Sequence, residues 1–123
     1  MKVELNLNEV YQFMKDFKID YLNNRDELII DDNTDTYVSI SDCRTIDEVK
    51  TWVVFAMSRP IGKGLQSKDA ERLLKRLNDY FNVNLTRKDM RSIYIVLCYI
   101  GKVKEFEEFI KRGFPMEDLN NYA

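Results

Sequence analysis

With 123 residues, 45% of them hydrophobic and 33% charged, the chain has the composition of one globular domain large enough to bury a core. It has no histidine and only two cysteines, which excludes Ser-His-Asp and Cys-His catalysis, imidazole ligation of zinc and a four-thiolate zinc site. The net charge of −2 is unevenly spread: residues 1–57 carry six Lys/Arg against twelve Asp/Glu, and residues 58–113 carry thirteen against seven. Asymmetry of this kind bears on partners and steering rather than on fold.

Asn6-Leu7-Asn8-Glu9 forms a capping box, and Val10, Phe13, Met14 and Phe17 recur at helical spacing, so a first helix is expected to end near Lys18. From Ile19 to Asp42 the pattern becomes strand-like: "IDYLN", "ELIID" and "TYVSI" are separated by "NRD" and "DNTD", which predicts a three-stranded antiparallel meander. Thr45-Ile46-Asp47-Glu48 opens a second, largely apolar helix containing Trp52 and Phe55, which Arg59-Pro60 is expected to stop near Ser58. Ser67 caps a third helix with the stripe Ala70, Leu73, Leu74, Leu77, Tyr80, Phe81. Thr86-Arg87-Lys88-Asp89 caps a fourth, which continues into the buried run "IYIVLCYI" to a C-cap at Gly101. "KVKEFEEFIKR" is a short amphipathic helix with Val103, Phe106, Phe109 and Ile110 inside, ended by Gly113, with one further turn after Pro115.

The expected fold is therefore α+β in a single domain, 1–123. Residues 1–44 supply an acidic helix plus β-meander, and residues 45–123 supply a bundle of about four helices. No run reaches the length of a membrane span, and "MKVELNLNEV" lacks the apolar core of a signal peptide. A cytoplasmic protein with no membrane contact and with free thiols at Cys43 and Cys98 is expected.

Four stretches invite a chemical reading. Gly62-Lys63-Gly64 in "SRPIGKGLQSKD" departs from a phosphate-binding P-loop because glycine follows the lysine and a helix precedes the loop; a connector whose glycines supply positive φ is the simpler reading. Arg59, Lys63 and Lys68 surround the start of the next helix, where unpaired N–H groups favour an anion. Lys68, Arg72, Lys75 and Arg76 share the solvent side of that helix, and Arg87, Lys88 and Arg91 extend the ridge toward a nucleic acid or an acidic protein surface, although solvated helix faces are commonly this basic. As a helix-turn-helix, residues 67–82 and 86–100 would offer only the first turns of the second helix to a groove.

Asp31, Asn33, Asp35, Tyr37, Ser39 and Asp42 match EF-hand ligand spacing, but Thr36 replaces the turn glycine and Asp42 the bidentate glutamate, so a hairpin turn explains them more simply. Asp26, Glu27, Asp31, Asp32, Asp35 and Asp42 would alternatively mimic a row of phosphates and occupy a basic channel. No cofactor is expected.

"SRPIGKGLQSKDAERLLKRLNDYF", "LTRKDMRSIYIVLCY" and "EFIKRGFPMEDL" resemble small proteins of phages and mobile elements of AT-rich Gram-positive bacteria, and ten asparagines and eleven lysines against three alanines agree with AT-rich codons. The resemblance implies a non-enzymatic, anti-CRISPR-like inhibitor. Its partner would be a host protein or ribonucleoprotein complex, with direct nucleic-acid contact as the alternative, and the chain itself would be a monomer or a homodimer. A metal-dependent enzyme built on the aspartates is the third class.

Overall fold

A computed structural model describes residues 5–19, 21–31, 36–62, 67–100 and 105–122. Helix α1 (Leu7–Phe17) is followed by strands β1 (Glu27–Asp31) and β2 (Thr36–Ser39), then by α2 (Ile46–Gly62), α3 (Ser67–Phe81), α4 (Arg87–Ile95) and α5 (Phe106–Lys111). Short 3-10 turns at Ile40–Asp42 and Met116–Tyr122, and a π-helical turn at Val96–Ile100, complete the α+β order.

Local chemistry sets most of these boundaries. The Asn6 carboxamide accepts from the Asn8 N–H at the start of α1. Lys18 ends that helix in the left-handed region at φ 62, with Ile19 N–H returning to the Met14 carbonyl. Thr86 and Asp89 form the expected reciprocal capping box of α4. At α2 the box is shifted by one residue: Thr45 Oγ1 accepts from Glu48 N–H, while the buried Glu48 carboxylate accepts from Arg44 N–H at 2.9 Å.

The meander is smaller than predicted. The sheet has two antiparallel strands, pairing Glu27 with Ser39 and Ile29 with Tyr37, and "IDYLN" contributes a single bridge from Leu22 to Leu28. Residues 18–19 are spent on ending α1. At the other side Asn23 is spent on a turn, its side-chain oxygen accepting from Arg25 and Glu27 N–H, which leaves only Tyr21 and Leu22 to pair.

Helix α2 runs two residues beyond Pro60 instead of stopping before it. Pro60 forgoes the intrahelical bond to the Ala56 carbonyl and crowds it, a cost offset by what the two further residues bury. The extension buries Ile61 completely and brings Gly62 against α4, where a Cβ would lie 2.9 Å from Arg91 Cα. Gly62 is thus needed for close approach of two helices and not for a positive φ, as the connector reading had it. Gly101 and Val103 lie outside the described residues; Gly113 ends α5 at φ 82 as expected.

Helix α2 is central. It packs on α4 most extensively and also meets α1, α3, α5 and β1. A row of aromatic rings runs through the core from Phe13 and Phe17 through Tyr80, Phe81 and Phe114 to Phe109 and Phe106, neighbouring centroids lying 4.7 to 5.8 Å apart. Phe114 holds φ 58, a costly conformation for a bulky side chain, retained because its ring is wedged between Phe81 and Phe109.

Candidate interaction surfaces

Both charged surfaces expected from sequence are partly engaged within the chain. On α3, Lys75 lies 2.7 Å from the Asp79 carboxylate, so part of its charge is neutralised one turn along the same helix. Arg76 turns away from the ridge and donates through Nη1 to the Lys18 carbonyl at 2.7 Å, holding the end of α1. Arg87 reaches from α4 to Glu71 at 4.0 Å. Arg72 is exposed on α3, and Arg59 is half-buried on the last turns of α2. Lys88 and Arg91 are exposed on α4.

The acidic hairpin is equally engaged in local structure. Asp26, at φ 55 in the turn, accepts the Tyr11 hydroxyl at 2.6 Å, and this hydrogen bond pushes the Tyr11 phenol above its ordinary range. Glu27 accepts from the Asn23 amide and lies 3.5 Å from Arg25. Asp42 is exposed in the 3-10 turn after β2. Lys63, Asp32 and Asp35, with the side chains of Asp31 and Lys68, lie outside the described residues.

Of the EF-hand spacing, Tyr37 and Ser39 sit in β2, where Ser39 Oγ shares a 2.8 Å hydrogen bond with Ser41 Oγ. Strand β1, ending at Asp31, stands where a helix–loop–helix cation site needs its entering helix, and that is incompatible with an EF-hand. Asn33 lies outside the described residues. Among the described residues no three Cys, Asp or Glu side chains converge as a metal requires.

The two thiols differ sharply. Cys98 is exposed, whereas Cys43 is buried beside Glu48, Asp42 and Glu107, and burial first, then these carboxylates, push its pKa up to about 12. At neutral pH Cys43 is a protonated, unreactive thiol.

Lys88 and Arg91 were expected on a binding surface, but its apolar continuation along α4 was not. Lys88, Arg91, Ile95 and Cys98 recur at spacings of three, four and three along α4 and into the π-helical turn, and all four are exposed, Ile95 by 42%. Beside this stripe the half-buried Tyr94 ring stacks on Phe55 of α2 at 5.9 Å, and Phe55 meets Trp52 edge-on at 6.0 Å. Sequence reasoning assigned Trp52, Phe55 and the run from Ile93 onward to the core. The signal available was the helical spacing of Lys88, Arg91 and Ile95, a basic stripe that turns apolar instead of ending.

In the α3–α4 connection the Asn78 side chain donates to the Leu85 carbonyl and accepts its N–H, so the loop is tied to α3. On α4, Lys88, Arg91 and Ile95 are exposed. No helix among the described residues is long and apolar enough to cross a membrane. No protein-family model, curated protein or solved structure matches this chain.

Proposed function

We propose that the chain is a non-enzymatic binding protein of phage or mobile-element origin that docks on, and inhibits, a host nucleic-acid-handling complex such as an RNA-guided nuclease in the cytoplasm. The observation that carries this reading is the exposed stripe Lys88–Arg91–Ile95 beside the half-buried Trp52, Phe55 and Tyr94. Tryptophan, tyrosine and arginine clustered around an apolar centre are the residues that dominate protein–protein affinity. The Asn/Lys-rich, Ala-poor composition supports the mobile-element origin.

The test is a pull-down with tagged protein from cells expressing several CRISPR effector complexes, paired with a target-cleavage assay. Recovery of an effector and loss of cleavage at stoichiometric inhibitor are expected. Recovery of no effector from any of those systems, with cleavage unimpaired, overturns the reading.

A second reading, direct nucleic-acid binding, is favoured by the exposure of Lys88 and Arg91 on the first turns of α4. It predicts an affinity that falls with salt and is lost in the double variant Lys88→Glu, Arg91→Glu. No binding at low salt excludes it.

A further inference from the structure

Resting on the reading of this chain as a binding protein, we infer that the outer stripe of α4, together with the aromatic edge of α2, is a docking face for an acidic amphipathic protein segment. The face has a direction. At one end Lys88 and Arg91 are exposed; one turn further along, Ile95 is exposed by 42% and continues across Tyr94 and Phe55 to Trp52. Gly62 holds the basic end against the last turn of α2, since only a residue without a Cβ fits 2.9 Å from Arg91 Cα.

Charge complementarity sets the partner. Lys75 on α3 and Arg87 at the start of α4 meet carboxylates of α3, at 2.7 and 4.0 Å. On α4 the carboxylate nearest the stripe in sequence, Asp89, is turned back to accept the Thr86 N–H at 2.9 Å, closing the capping box. A partner's carboxylates would complement the exposed Lys88 and Arg91, one turn away from an apolar anchor that covers Ile95. A helix with Glu or Asp spaced three or four residues from Leu or Phe has this pattern.

The side chain exposed beside the two cations favours a protein segment over a single-stranded nucleic acid. Base stacking needs an aromatic ring face. Ile95, exposed by 42%, is aliphatic, and Phe55 and Tyr94 already spend one face on each other at 5.9 Å and 20°.

Trp52 is the single tryptophan, so its emission reports occupancy of this face directly. The probes are a synthetic amphipathic Leu/Glu peptide, its Leu/Lys counterpart and oligothymidylate, with backbone amide chemical shifts of α4 as a second readout. The Leu/Glu peptide should shift Trp52 emission saturably, with affinity about tenfold or more weaker in Arg91→Glu and in Ile95→Asp, as expected for central interface residues. Both substitutions are at exposed positions, and an unchanged melting temperature verifies their folding.

No saturable change in emission or α4 shifts, equal binding of the Leu/Lys peptide, saturation by oligothymidylate instead, or wild-type affinity in both variants overturns the inference. The titration contains no effector complex. A failed pull-down with a positive titration therefore withdraws the defence-complex target and leaves the face standing, and the converse withdraws the face alone.

Discussion

Asn78 shows how one side chain can determine a connection. Its carboxamide serves the Leu85 N–H and carbonyl at 2.9 and 3.0 Å, and its own backbone carbonyl accepts from Val83. In Asn78→Ala the two Leu85 groups lose their partners beside a buried side chain, which should cost about 2 kcal/mol in urea unfolding. Cys43 gives a prediction in pH. Its thiol is held protonated up to about 12 in the folded protein, against an ordinary value of 9.0, so the folded state binds more protons than the unfolded state between these values. The contribution to stability is complete below pH 9 and is lost as pH rises toward 12. Melting curves should show this decline, and Cys43→Ala should flatten it. At neutral pH a maleimide should modify the exposed Cys98 and leave Cys43 untouched until the protein unfolds.

Among the elements, α2 is the one whose ending was misjudged from sequence. Arg59-Pro60 is a sound local stop signal, overridden because continuing the helix buries Ile61 and seats Gly62 on Arg91. In Gly62→Ala the added methyl meets backbone, which cannot move aside as a flexible side chain would. Overpacking of about 1–3 kcal/mol should exceed the gain in helix propensity, at most about 1 kcal/mol, so a net loss of stability is expected in denaturant titration. The α3 ridge similarly mixes roles that the helical wheel cannot separate. Arg76→Ala should weaken the last turn of α1 by about 1 kcal/mol, seen as faster amide exchange there, because the guanidinium bonds the Lys18 carbonyl in an exposed setting. An alanine that left exchange unchanged would return Arg76 to the binding ridge.

For the whole molecule, the question is how much of the basic half is available to a polyanion. Nine cations were candidates, and full engagement of all nine would give a salt slope of roughly −8 at about −0.9 per phosphate contact on duplex DNA. Lys75, Arg76 and Arg87 already have partners inside the chain. Any affinity for duplex DNA should therefore show a distinctly shallower slope when log K is plotted against log salt. A slope near −8 would mean that these internal contacts break on binding.

What the sequence determined by itself was local. The Thr86–Asp89 capping box, the Asn6 cap of α1 and the apolar stripes of α1, α3 and α5 depend on neighbours within a few positions, and each is where helical periodicity puts it. The α+β class follows from those elements. What only the tertiary structure decided was long-range: the reduction of the third strand to one bridge, the passage of α2 through Pro60, and the diversion of Arg76 to α1. So too was the half-exposed edge that Trp52, Phe55 and Tyr94 share with Ile95. An apolar helix of this length is read as core because hydrophobicity alone does not say which side a neighbour covers. That depends on how closely two helices meet, and here the closeness rests on the missing side chain of Gly62.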